Sequence, residues 1–502
     1  MHPCLLIPEV LQQIFSNFDL SGTEQNCFTR PDRRVARHSL AALCRVCRSF
    51  KDVALDVLWV ELLNLQPLFT RLPQDLWHAP GDGTLVLRRP VTMRDWSVFE
   101  RYASRVRVLR DDPEFQTDIF GGIDANFIHA IVILAPKALL VPNIREIYCG
   151  ECRYDLHSCM RYLLGPDLVH LNLRPLAINK FWSDDMSSVI SCLGRHSPRL
   201  KVVHLGHAPD QVGELALCGL SHLQEISLLL GSPRTFQVRT STLATLSIRS
   251  PTLTLFGNLV QHWVVPCRRL DLFYFFPETA LAVERALREL DNRVLCDGLE
   301  EFRCDGAARD DSIAYALSLH TFTPLMRFSS LKIVELPQFC TSLLDDDAIG
   351  SIAKSWPLLE HLELGTNHSS KNQPRMTFQG LVTVLSSCPS LRVLGLVFDA
   401  TKVDPEKSGA GVCNTNITTL GVGFSPIEQT PEVAIALSAI LPCLTEIKVE
   451  KRYTGLNREA RAAKWREVSK SVGVYNLVRQ REGLHHDFST WCHTAETKRR
   501  VC

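Results

Sequence analysis

LEHLEL, residues 359–364, places a hydrophobic side chain at the first, fourth and sixth of six positions. The same spacing returns in LKIVEL (331–336) and LRVLGL (391–396) on either side. Further out it recurs as IREIYC (144–149), LVHLNL (168–173), LKVVHL (200–205), LQEISL (223–228), LATLSI (243–248), CRRLDL (267–272), LEEFRC (299–304), ITTLGV (417–422) and LTEIKV (444–449). Successive starts lie 20 to 32 residues apart. The last three positions of each instance alternate, which predicts a short strand with side chains on opposite faces.

One such strand cannot bury its inward face alone, so neighbours must stack into a continuous core. A period of this length marks a solenoid, and the pattern is that of leucine-rich repeats. Helical spacing fills the intervals: SDDMSSVISCLGRH (183–196), DDDAIGSIAKSW (345–356), TFQGLVTVLSSC (377–388) and PEVAIALSAIL (431–441). Ser183 is placed to cap the first, and Pro198, Pro357, Pro389 and Pro442 stand as helix stops. The predicted fold is an α/β solenoid, an irregular leucine-rich-repeat horseshoe over 141–450, since no regular asparagine comes after the strands. A helix over 457–482, with Trp465, Val468 and Val472, is expected to cap the last repeat, so that 451–502 is cap and tail.

Solenoids bind partners on the face their strands expose. Candidate substrate-contacting residues there are Asn172, His204, Arg249, Asp271, Phe273, Arg303, Asp305, Glu335 and Glu363, with Tyr274 as a second aromatic anchor. The inward positions account for Cys149, Cys267 and Cys304, and the ends of repeat helices for Cys192 and Cys388; packing is the simplest role for these thiols. Cys149 and Cys152 form a C-x-x-C, and the tail carries His485, His486, Cys492 and His493; a frayed terminus explains the latter.

At 502 residues the chain exceeds one compact core, which fits several domains or a repeat array. Lysine plus arginine (55) nearly equals aspartate plus glutamate (54), so there is no general attraction to nucleic acid or anionic membrane. The N-terminus lacks the basic lead-in of a secretory signal, and no apolar run is long enough to span a bilayer. The expectation is a protein of cytoplasm or nucleus with reduced thiols.

The first sixty residues read differently. Val10, Leu11, Ile14, Phe15 and Phe18 have helical spacing behind Pro8 and Glu9. A second helix is expected after Ser39, with the stripe Leu40, Leu43, Cys47, Phe50, Ala54 and Val57. That stripe settles the pair Cys44 and Cys47: Cys47 reads as a small hydrophobe, since zinc would need further ligands from Cys27 and His38, and no strand precedes a redox motif. Two short helices bearing Leu5, Leu6, Ile7, Leu11, Ile14, Phe15, Leu43, Val46, Phe50, Leu58 and Trp59 carry more apolar surface than they can cover mutually.

LLIPEVLQQIFSNFD and then SLAALCRVCRSFKDVALDVLW resemble an F-box: an I-P-E opening helix, a V-C-R-aromatic second helix and a closing L-W. The match is similar to F-box proteins of mushroom-forming (basidiomycete) fungi, whose box runs on into W-x-E-L, L-x-P-L and L-P; here WVEL, LQPL and RLP stand at 59–73. RRPVTMRDWSVFERYASRVRVL (88–109) resembles the stretch after the box in those proteins. One departure is the connection between the helices, which is longer and more basic (Arg30, Arg33, Arg34, Arg37) and would set a charged flap near the adaptor-facing surface.

The resemblance implies a helical F-box over 1–65 with an insertion at about 19–38, and a helical or irregular connection with a first atypical repeat over 66–140. It further implies that the box binds a Skp-type adaptor, and through it a cullin, while the repeats hold a substrate protein. Adaptor contact or its support would fall to Pro8, Leu11, Ile14, Phe15, Leu43, Val46, Phe50, Leu58 and Trp59. No enzyme, cofactor or metal role is expected, since the sequence has no phosphate-cradling loop, H-E-x-x-H or paired metal-ligand motif. The competing expectation is a repeat scaffold whose box-like helices only cap the solenoid.

Overall fold

The computed structural model describes residues 7–18, 30–81, 83–111, 119–150, 153–173, 182–231, 242–260, 267–293, 298–306, 315–368, 372–405, 411–449 and 456–483. The chain divides into two compact units, Met1–Leu229 and Leu230–Cys502.

The first unit opens with three helices, α1 (Pro8–Ser16), α2 (Arg30–Leu43) and α3 (Arg48–Trp59). Pro8 starts α1, where its missing N–H costs nothing, and Glu9 sits at the positive end of the helix dipole. Helix α3 packs against both others, and Leu11, Phe15, Leu40, Val53 and Ala54 fill the space between them. The Phe15 and Phe50 rings meet edge to face at 5.5 Å.

Two expectations need correction here. The second helix starts at Arg30, so part of the expected insertion at 19–38 is helical and Ser39 lies inside a helix rather than at its cap. The expected single helix is also two. Its last turn tightens, with Arg45 N–H on the Ala42 carbonyl and Val46 N–H on that of Leu43, and Cys47 is extended at φ −158° before α3 begins. The apolar spacing runs through the break because both helices address one core. Cys27 and the side chains of Arg30, Arg33 and Arg34 lie outside the described residues. Arg37 is no flap: its guanidinium donates to the Glu61 carbonyl at 2.7 Å.

Side-chain contacts fix these helices to the segment around residues 93–105. Trp59 is buried with its ring centroid 4.8 Å from that of Tyr102, and Arg105 donates to both the carbonyl and the carboxylate of Asp52 at 3.1 Å while pairing with Asp56. Tyr102 belongs to the helix Met93–Ala103, which starts in a capping box. There the Asp95 carboxylate accepts from Thr92 N–H (2.9 Å), the Thr92 hydroxyl (2.7 Å) and Arg89 (2.8 Å), with its side chain only 3% exposed.

Strands β1 (Glu61–Leu62), β4 (Val108–Arg110), β5 (Glu146–Cys149), β6 (His170–Leu173), β7 (Val202–Leu205) and β8 (Glu225–Leu229) pair in parallel in that order. A separate antiparallel pair, β2 (Trp77–His78) and β3 (Val86–Leu87), lies between the first two in sequence. Parallel pairing thus begins at Glu61, inside the WVEL motif and ahead of residue 141.

The second unit continues the plan with β9 (Thr245–Ser250), β10 (Arg269–Tyr274), β11 (Glu301–Gly306), β12 (Ile333–Leu336), β13 (His361–Leu364), β14 (Val393–Leu396), β15 (Thr419–Gly423) and β16 (Glu446–Val449). These also pair in parallel in chain order. In all, 14 strands of the described residues are paired this way. The fold is an α/β solenoid of irregular leucine-rich repeats, and one of its strands starts at the third position of each of the twelve hexapeptides quoted from the sequence.

Helix starts obey their caps: Ser183 accepts from Met186 N–H, Asp345 from Ala348 N–H and Thr377 from Gln379 N–H. The last helix, Leu456–Gly483, lays Trp465, Val468 and Val472 fully into the second unit, and the Trp465 indole donates to the Ser425 carbonyl at 2.9 Å. Close packing also fixes one glycine. A Cβ on Gly306 would collide with the ring of Tyr274, the residue beside it in register. Tyr274 is therefore core at 3% exposure, not the surface anchor expected.

Two outcomes test this packing. Asp95 is held down at about 2, chiefly by Arg89, against burial. Its contribution is therefore present above the ordinary carboxylate range and is lost as pH falls from about 4 towards 2. Asp95→Asn should lower stability by about 1–2 kcal/mol at neutral pH and flatten the acid limb of urea midpoints plotted against pH. Gly306→Ala should cost about 1–3 kcal/mol by denaturant titration, since the Tyr274 ring has to move.

Candidate functional site

Two kinds of surface remain once the core is filled. The first belongs to α1–α3. Of the nine residues assigned to adaptor contact or support, Pro8, Ile14 and Val46 face solvent, Ile14 at 42% and Val46 at 60% exposure. Leu43, Phe50 and Leu58 are half-buried against the three-helix core. Leu11, Phe15 and Trp59 are buried and act from within, shaping the helices that carry the exposed residues. Ile7 and Val35 add further apolar surface. Val35 is hidden from a sequence reading because the arginines around it give its segment the composition of an insertion.

The second surface is the alternate face of the strands. Every residue assigned to it in the sequence except Tyr274 holds an outward position, interleaved with buried ones. In the first unit, Tyr148, Asn172 and His204 align in register. A neighbouring column, missed in the sequence, holds Glu146, His170, Val202 and Glu225. It was legible as the second of the two spacer residues in each hexapeptide. Arg110 lies 3.7 Å over the Tyr148 ring, Tyr148 and His170 rings are 4.6 Å apart, and His170 and His204 are 5.3 Å apart. His204 Nε2 ends the run 2.7 Å from a Glu225 carboxylate oxygen. Burial, and after it the nearby Glu146 carboxylate to which its hydroxyl donates, raises the pKa of Tyr148.

In the second unit, Ser247, Asp271, Arg303, Glu335 and Glu363 align, with Thr245, Arg269, Glu301, Ile333 and His361 in the adjacent column. Arg303 is the hub, reaching Glu301 at 2.9 Å, Glu335 at 3.1 Å and Asp271 at 3.7 Å. Arg269 holds Asp271 at 2.9 Å and Glu301 at 3.8 Å, and His361 Nδ1 lies 3.5 Å from Glu335. Burial works against the Arg303 charge, and its flanking carboxylates more than offset it. Burial raises Asp271, against the pull of Arg269 and Arg303. Phe273 and Arg249 are exposed beside this network, and Asp305 accepts from Gly306 N–H at 2.8 Å.

The thiols pack as the repeat pattern implies. Cys149, Cys267, Cys304 and Cys388 are buried, and burial pushes Cys267 up to about 12 and Cys388 to about 11. Cys192 is half-buried. Burial alone would raise Cys340 too, but His368 and Ser342 hold it at about 7. Cys44 is raised by burial, and Cys47 is half-exposed at the start of α3. Among the described residues no group of three or more His, Cys, Asp or Glu is placed to hold a metal, and no helix is long and apolar enough to cross a membrane. Cys152, His485, His486, Cys492 and His493 lie outside the described residues.

Neither a protein-family model nor a curated protein matches the chain. Among solved structures it is similar to the yeast Rad7–Elc1 complex, at 15% identity and a TM-score of 0.40 over 66% of this chain and 85% of that one. It is also similar to a TLR13–ssRNA13 complex (14% identity, TM-score 0.35, 74% of this chain) and to the Drosophila Toll–Spatzle complex (13%, 0.34, 72%), spanning half of each of those chains. Overlap at this level assigns neither family nor partner.

Proposed function

We propose that the chain is the substrate-recognition subunit of an SCF-type cullin-RING ubiquitin ligase, with α1–α3 as an F-box for a Skp-type adaptor and the repeats holding a substrate protein. One observation carries this reading. The helices bearing the F-box-like motifs build a core from Leu11 and Phe15, yet keep Ile14 and Val46 in solvent. Apolar side chains left outside a satisfied core mark a surface for another protein.

No group on this chain would make or break a covalent bond in that role. Its contribution is positional: a bound substrate lysine is held near a charged conjugating enzyme, which raises its effective concentration. The Arg105 grip on Asp52 and Asp56 and the Trp59–Tyr102 contact favour this, because delivery requires the helices to hold their orientation on the repeats. The same contacts support one other reading, in which α1–α3 only cap a repeat scaffold with no part in ubiquitination.

Co-purification of the full chain with a Skp-type adaptor separates the two. The paired change Ile14→Asp and Val46→Asp should cut adaptor recovery about tenfold or more while leaving the melting temperature in place, because neither side chain is in the core. Equal recovery from wild type and variant, or none from either, would remove the ligase reading.

A further inference from the structure

The outward face of β9–β13 narrows the class of substrate. From β10 to β13 the carboxylates Asp271, Glu301, Glu335 and Glu363 outnumber Arg269 and Arg303, and the exposed Arg249 stands outside this run on β9. Both arginines are already engaged by those carboxylates, so the strip keeps an acidic excess after internal pairing.

Beside the carboxylates the surface turns apolar. Phe273, level with Asp305 in register, is 39% exposed, Phe276 is 61% exposed, and the Phe273 and Phe275 rings meet at 5.3 Å. The strip also has an end. Gly395 and Gly421 continue the Glu363 column on β14 and β15, and a Cβ on Gly395 would lie 2.9 Å from Thr366, so Thr366 already covers that ground. The open acidic run covers three strand spacings, about 15 Å, the reach of roughly four or five extended residues. Phosphate backbones would be repelled by it.

We infer that the β10–β13 face docks a basic polypeptide segment, its lysines or arginines set against Asp271, Glu335 and Glu363 and a bulky apolar residue set against Phe273. This rests on the proposal that the repeats are the substrate-holding half of the chain, and it names the chemistry of what they hold.

The test is fluorescence anisotropy on the full chain with a labelled octapeptide, KRKFLKRK, against its counterpart EEEFLEEE. The basic probe should saturate and weaken about tenfold or more between 50 and 300 mM salt, and the acidic probe should not bind. Glu335→Gln with Glu363→Gln should weaken the basic probe about tenfold. Because Glu335 also pairs with Arg303, Phe273→Ala, which leaves the charge network whole, is the second variant and should weaken it about fivefold. No saturation, equal binding of both probes, tighter binding of a single-stranded RNA, or affinity unchanged in both variants would overturn the inference. Adaptor recovery is measured on the same proteins. Recovery unchanged by Ile14→Asp and Val46→Asp while the basic probe binds as expected overturns only the ligase reading, and recovery lost through that change while the basic probe fails to saturate overturns only this inference.

Discussion

No repeat in this chain can cover its own inward leucines. A strand such as His361–Leu364 turns Leu362 and Leu364 to one side, and only the strands before and after it, with their helices, complete the shield. That dependence sets the parallel order, the helix-stop-strand cadence and the need for something different at each end. It also leaves the alternate face of strands such as β10, β11 and β13 unclaimed by the core, which is why charge and aromatic residues can accumulate there without harming stability. An open, polar face is a by-product of the packing rule.

The N-terminal helices obey another constraint. Their core is small and is built by packing α3 against both α1 and α2, while Trp59, at the end of α3, packs on Tyr102 beyond the helices. The three N-terminal helices and the repeats that follow them are thereby joined by side-chain contacts as well as by chain. Arg105 is the clearest case: it spends its donors on Asp52 and Asp56, residues some fifty positions earlier in the sequence.

Much of this was legible from spacing. The hexapeptide pattern located its strands because every inward position demands a large apolar residue, a demand that polar substitution would violate. Strands β1 and β4 were not found: at two and three residues they are too short to display alternation, and the first hides inside WVEL. The break between Leu43 and Arg48 was also hidden, since two helices facing one core preserve the helical period across their junction. Tyr274 misled for a physical reason. An aromatic residue next to an exposed one can be read either way until Gly306, which has no side chain to fill the space, is seen to lie beneath its ring. The charge network around Arg303 needed the register between strands, which no single segment contains.

At the far end of the array, strand β16 closes the parallel order, and a bare final layer would offer unpaired backbone and uncovered leucines to any similar layer it met. Trp465, Val468 and Val472 occupy that position, with the indole tied to Ser425. The last layer described is therefore covered rather than bare. A chain cut short before this helix would present a sticky end, and copies of it would be free to join end to end into filaments.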